Sequence, residues 1–330
     1  MKAVVYENYG APDVFQIKDV EKPIPKDNEV LIKIYAASVS ARDVRIRSFT
    51  VPPSYWLFAR LLFGLRGPKR KILGSELAGE IESVGKDVKL FNRGDQVFGS
   101  AGIGFGAYAE YICIPEERAL AVKPSNLTYE EAVAIPFGGF TSLYFLRSGN
   151  IQVGKKILIN GASGSVGTSA VQLAKHFGAE VTGVCSATNS ELVKSLGADK
   201  VIDYTKEDFT ENGEKYDIIF DAVGDSSFSG CIRSLKENGV YLQSVAALLR
   251  SVRGLWTSMT TNKKVIGGTG GESAKDLILL KELVETGKVT PVIDRSYPFE
   301  QIAEAHRYVD EGHKKGNVVI TLKHNNKTQN

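Results

Sequence analysis

The sequence predicts an α/β protein in two parts, a compact unit of short β-strands followed by a doubly wound parallel sheet. Three observations carry this. First, from Ile157 to Lys175 the chain reads ILINGASGSVGTSAVQLAK: an apolar run feeds a small-residue turn, and apolar residues then recur at helical spacing. Second, Glu180–Cys185, Tyr216–Asp221 and Gly239–Val245 follow as strand candidates separated by helix-like stretches, the alternation of a parallel sheet. Third, the residues before position 125 hold short strand candidates punctuated by turn residues, the texture of an all-β unit.

In chain order, the early strand candidates are Lys2–Tyr6, Val30–Ala36, Ala78–Val84, Gln96–Gly99 and Tyr108–Ile114, separated by Pro23, Pro25, Gly85, Gly94-Asp95 and Gly104. Thr128 and Glu131 form a capping box that opens a helix, and the nucleotide part is expected to start near there. The turn at 161–167 aims unpaired backbone N–H groups and the positive end of a helix at one point, which receives a pyrophosphate. Ser165 and Val166 should present those N–H groups, Gly164 admits backbone close to phosphate, and Gly167 lets helix and strand pack. Ala162 stands where the usual first glycine falls, so the bare pattern also fits a glycine-rich turn in an ordinary α/β protein. The strands that follow favour the dinucleotide. Ser273–Thr286 and Phe299–Glu311 read as helices stopped by Gly287 and Gly312, and Val318–Leu322 reads as a strand. Texture alone leaves open which sheet this tail joins.

A length of 330 residues suits two domains, and 43% hydrophobic with 24% charged residues is ordinary for a globular protein. The net charge of +3 is too small to argue for nucleic acid. Cys113, Cys185 and Cys231 stand far apart with no CxxC pair, which signals neither a zinc site nor a disulfide framework and fits a reduced, cytoplasmic setting. The residues after Met1 do not read as a signal peptide, and no apolar run approaches the roughly 20 residues of a membrane span. His176, His306, His313 and His324 show no metal or catalytic spacing, so surface or packing roles are expected. The apolar stretch from Tyr55 to Leu65, flanked by Arg66 and Lys69-Arg70-Lys71, reads as a substrate lid, a membrane-surface helix or plain packing. Leu248–Trp256 poses the same choice.

A series of short motifs runs over nearly the whole chain: Lys2-Ala3-Val4, Asn28–Lys33, Ala36–Ser40, Leu77–Ile81, Gly94–Gly99, Gly106–Tyr111, Leu196–Asp199 before Val201–Tyr204, and Gly312–Ile320. Their order resembles the medium-chain dehydrogenase/reductase superfamily, in its zinc-free quinone oxidoreductase (zeta-crystallin-like) branch. The resemblance implies a GroES-like β domain over 1–125 with 270–330, and a Rossmann dinucleotide-binding domain over 126–269. It also implies substrate in the cleft between them and a homodimer or homotetramer. Where zinc alcohol dehydrogenases place a catalytic cysteine, histidine and cysteine, this chain has Ser40, Ser75 and Gly138. The loop of their structural zinc site is shortened to Ala101–Phe105. No metal is therefore expected.

Without a Lewis acid, alcohol oxidation is disfavoured, whereas reducing a quinone or an α,β-unsaturated carbonyl needs mainly binding and orientation. Tyr55 is the expected hydrogen-bond donor to substrate oxygen; Ser40, Asp43 and Thr141 belong to the segments the family places around the reacting groups. Asp43 and Glu76 also read as structural carboxylates paired with Arg42 or Arg47, and Thr141 as a helix cap. Ser186 occupies the place where an NAD-type fingerprint carries an acid, about 20 positions beyond the glycines, so NADPH is expected over NADH. Ser186, Thr188 and Asn189 would donate to the 2′-phosphate, although the same run also reads as helix N-capping. Ser163, Tyr204, Val223, Val245, Lys315 and Asn317 complete the expected cofactor set. Two other readings stand beside the reductase: an enoyl-thioester reductase, and a cofactor-binding protein without turnover.

Overall fold

The computed structural model describes residues 1–51, 56–244, 248–268 and 270–324. The chain divides into two compact units. Residues 1–136, 272–285 and 291–330 form the first, and residues 137–271 with 286–290 form the second.

The first unit opens with β1 (Lys2–Val5) and β2 (Gln16–Asp19), an antiparallel pair of their own. Next come β3 (Glu29–Val39), α1 (Ala41–Ser48), α2 (Trp56–Phe63), β4 (Glu76–Val84), β5 (Gln96–Ser100), β6 (Tyr111–Pro115), β7 (Leu120–Val122) and α3 (Tyr129–Val133). In β3, Val30, Ile32 and Ile34 alternate into the core against Leu77 and Ile81 of β4, the period-2 pattern of a pleated strand. Tyr108 lies outside β6, three residues before it, fully buried. The helix at 129 has the expected capping box, but it packs on β3 and β4 and so belongs to the first unit. The division accordingly falls at 136/137 instead of 125/126.

The second unit starts within α4 (Pro136–Ser148) and continues through β8 (Lys156–Asn160), α5 (Ser165–His176), β9 (Glu180–Cys185), α6 (Ser190–Ser195) and β10 (Lys200–Asp203). It then runs through β11 (Tyr216–Asp221), α7 (Phe228–Ser234), β12 (Leu235–Gln243), α8 (Leu248–Thr260) and β13 (Lys264–Gly267). All six strands are parallel, in the order β10-β9-β8-β11-β12-β13. This is the dinucleotide-binding order, and it reverses between β8 and β11.

The tail adds α9 (Ala274–Glu285), β14 (Ile293–Pro298), α10 (Ile302–Asp310) and β15 (Asn317–Thr321) to the first unit. There β15 lies between β14 and β3, with Val319 opposite Ser38, in a seven-stranded sheet. The tail thus joins the first sheet, the alternative that strand texture alone left open.

Candidate active site

In the second unit the turn between β8 and α5 takes its left-handed residue at Gly161 (φ +79°). A Cβ at Gly167 would lie 2.0 Å from the Gly161 carbonyl oxygen, so that helix and turn pack only through glycine. A Cβ at Gly164, the N-cap of α5, would stand in ordinary van der Waals contact with the Gly161 carbonyl oxygen at 3.6 Å, and this residue gives the helix no side-chain cap. A helix N-terminus that follows a glycine turn and lacks a side-chain cap is a place for a phosphate.

At the end of β9, Ser186 and Thr188 share a hydroxyl–hydroxyl hydrogen bond of 3.0 Å. Asn189 Nδ2 donates to Ser163 Oγ at 3.1 Å, tying this loop to the glycine turn, and Asn189 Oδ1 is buried without a partner. Neither Ser186 nor Asn189 caps the helix that follows it with its side chain. The capping alternative for this run is not realised. Tyr204 follows β10 and Val223 follows β11, both exposed. Val245 and Tyr55 lie outside the described residues.

Two residues that sequence reasoning missed close the switch point. Asn160 and Asp221 end β8 and β11 in register, and Asn160 Nδ2 donates to Asp221 Oδ1 (3.1 Å) and to Ser226 Oγ (2.8 Å). Asp221 also accepts from Tyr241 Oη (3.0 Å) and from the Gly224 N–H (2.8 Å). Polar residues ending two apolar strands were the available signal. Thr141 is no cap: it lies inside α4, its hydroxyl donating to the Phe137 carbonyl at 2.9 Å. At Gly138 a Cβ would sit 2.3 Å from the Ser165 carbonyl oxygen and 2.5 Å from Ser169 Oγ. No side chain fits there.

The first unit holds a buried charged cluster. Ser40 caps α1 and forms a capping box with Asp43: its Oγ donates to Asp43 Oδ2 at 2.5 Å and its backbone N–H to the same oxygen at 2.9 Å. Asp43 Oδ1 is buried with no hydrogen-bond partner, and burial raises the Asp43 pKa despite Arg42 and Ser40. Arg42 pairs with Glu76 and, at 2.7 Å, with Glu272. Burial opposes the arginine's charge, but the two carboxylates outweigh it and raise its pKa. Glu76 Oε2 accepts from Ser38 Oγ at 2.7 Å. Burial, aided by Asp43 and Glu272 and opposed by Arg42 and Ser38, pushes the Glu76 carboxyl up to about 7. Ser75 Oγ is buried without a partner. Behind the cluster, Tyr108 Oη donates to the Ser38 carbonyl (3.1 Å) and shares a 3.2 Å hydrogen bond with buried His306. Burial, then Arg47, holds His306 well below its ordinary pKa, so it packs as a neutral ring.

Lys315 and Asn317 also lie in the first unit. The Lys315 backbone N–H donates to Asp294 Oδ2 (2.9 Å), and Asn317, buried on β15, donates to the Val292 carbonyl (3.1 Å). Among the described residues no three His, Cys, Asp or Glu side chains converge as a metal would require, the three cysteines are free, and no helix is long and apolar enough to cross a membrane.

The alcohol dehydrogenase GroES-like domain family matches residues 26–124, and the zinc-binding dehydrogenase family matches residues 196–320. A 2-methylene-furan-3-one reductase from Solanum lycopersicum is 36% identical over 97% of this chain and 79% of its own length. The chain belongs to the medium-chain dehydrogenase/reductase superfamily, in its zinc-free quinone oxidoreductase branch. Another member, the chloroplastic NADPH-dependent alkenal/one oxidoreductase of Arabidopsis thaliana, is 34% identical over 97% of this chain and 79% of its own length. Among solved structures, the quinone oxidoreductase from Coxiella burnetii superposes with a TM-score of 0.87 at 29% identity, covering 98% of this chain and 99% of the other. Like these members, the chain is an oxidoreductase.

Proposed function

We propose that this oxidoreductase uses NADPH to reduce quinones or α,β-unsaturated carbonyl compounds without a metal. The observation that carries the cofactor half is the glycine turn at the uncapped N-terminus of α5, tied through Ser163 to Asn189, with Ser186 and Thr188 at the end of β9. No carboxylate stands among these three residues to repel a 2′-phosphate. Asp203, which ends the neighbouring β10, is engaged by the Thr205 hydroxyl at 2.8 Å. The substrate half rests on relatives named a 2-methylene-furan-3-one reductase and an NADPH-dependent alkenal/one oxidoreductase, and on a solved relative named a quinone oxidoreductase.

When bound, the nicotinamide supplies the hydride equivalent. The chain's residues bind and orient. The N–H groups of Ser165 and Val166, with Ser163, Gly164 and Gly167, hold the pyrophosphate, and Ser186, Thr188 and Asn189 hold the 2′-phosphate. Tyr204, Val223, Val245, Lys315 and Asn317 complete the cofactor's surroundings. Ser40, Asp43 and Thr141 line the reacting groups, and Tyr55 donates a hydrogen bond to the substrate oxygen. Serine at 40 and 75 and glycine at 138 leave no thiolate or imidazole to hold zinc. The protein assembles as a homodimer or homotetramer in the cytoplasm.

A panel of quinones, enones, an enoyl thioester and simple alcohols tests the reading. NADPH should be oxidised with quinones or enones, while NADP⁺ with alcohols gives no turnover. Turnover confined to alcohols refutes the reductase. Turnover confined to the thioester makes the protein an enoyl-thioester reductase, and cofactor binding with no turnover at all makes it a binding protein.

A further inference from the structure

The segment after β3 builds a second recess, formed by residues of the first unit alone. It encloses about 320 Å³, at the small end of the range that holds a ligand. Buried Tyr6 and Phe105 form its floor, and Ile46, Leu62 and Phe63 wall it. Ile103, at the tip of the short 102–104 turn, is 64% exposed and stands at the opening.

The polar part of the lining has one sign. Lys69, Arg70 and Arg118 all line the recess, and no acidic residue does. Lys69 Nζ is spent on the Leu61 carbonyl at the end of α2 (2.6 Å). Arg70 and Arg118 are exposed, and no ion pair engages either among the described residues. A neighbouring arginine behaves differently: Arg60 lies over the Phe49 ring at 4.0 Å and over Tyr9 at 5.0 Å, where it is stacked as part of the packing. Two unpaired guanidinium groups thus remain beside an apolar recess.

We propose that this recess binds a single-chain amphipathic anion: an acyl or alkyl chain inserts against Phe63 and Phe105, and its anionic head pairs with Arg70 and Arg118. The volume matches one short chain. Guanidinium groups suit carboxylate or phosphate heads through paired N–H donors. None of these residues is assigned to the cofactor or to the reductase chemistry.

Calorimetric titration of the full chain tests it, with decyl phosphate kept below its micelle concentration as the probe. Saturable one-to-one binding is expected, weakening as salt screens the head. Octyl phosphate should bind about fifteenfold more weakly, at about fourfold per methylene withdrawn from water. Decanol should lose about tenfold or more with the charged head, and decyltrimethylammonium should not bind. The double variant Arg70→Glu/Arg118→Glu should lose binding with its unfolding transition unchanged, and the milder Arg118→Gln alone should weaken it. Decanol binding as tightly as decyl phosphate, binding indifferent to both variants, or no binding would overturn the proposal. So would attachment to phosphatidylglycerol vesicles with no capture of the monomeric amphiphile, which makes this face a membrane-contacting surface.

Discussion

Ser186→Asp would set a carboxylate beside Thr188, where the proposed 2′-phosphate is held. A charge-assisted hydrogen bond is worth about 1.5–3 kcal/mol, so NADPH affinity should fall about tenfold or more while NADH loses less. Equilibrium titration of both cofactors against both proteins measures this without turnover, and equal losses for NADPH and NADH would contradict it. The glycine turn was legible because two of its three glycines answer a steric demand: Gly161 by its positive φ, Gly167 by its contact with the Gly161 carbonyl. Asn160 and Asp221 were not legible. A polar residue ending an apolar strand reads alike whether it faces solvent or a partner, and only the parallel register sets these two side by side. The Arg42–Glu272 pair was hidden for a related reason: 230 positions separate its members.

At the scale of single elements, α1 shows how one cap serves both helix and site. Its Ser40 Oγ holds the buried Asp43 carboxylate, so Ser40→Ala removes a cap worth about 0.5–2 kcal/mol and one of the two Ser40 donors to that carboxylate. Denaturant unfolding should show a loss of about 1–3 kcal/mol, which Ser40→Thr largely restores. The cluster joining α1, β4 and Glu272 also sets a pH dependence. With Glu76 near 7, the folded chain between the ordinary glutamate range and about pH 7 keeps a proton that the unfolded chain has released. Stability should therefore fall as pH rises through that window, by at most about 3 kcal/mol from this group. Glu76→Gln lowers stability overall but should flatten the slope, seen in urea midpoints at pH 5 and 7.5; an unchanged slope would exclude Glu76 as its source. Helix ends were readable from chemistry, since Gly287 and Gly312 take positive φ at the predicted stops. The Thr128–Glu131 box likewise marked its helix, but which unit the helix joined depended on packing against β3 and β4, which local signals do not carry.

Across the whole molecule, the chain leaves the first unit near residue 136, builds a six-stranded parallel sheet and returns to complete the sheet it began. The returning strand lies inside that sheet: β15 separates β14 from β3, with Val318, Val319 and Ile320 fully buried. Apolar content revealed a strand at 318–322, but a short apolar run pairs equally well with either sheet, so its destination was not written locally. Deleting residues 313–330 tests how far the first unit depends on this closure. Burying one such side chain contributes about 1.5–3 kcal/mol, so three of them, with the ladders to both neighbours, rival the 5–15 kcal/mol that holds a typical domain together. The truncated chain should lose protection of backbone amides in β3 and β4 in hydrogen exchange. Amides of β8, β9 and β11, whose sheet takes no strand from the tail, should stay protected. Persistent protection of β3 and β4 would show that the first unit folds without its last strand, whereas loss in both units together would mean that the second unit cannot fold without the first.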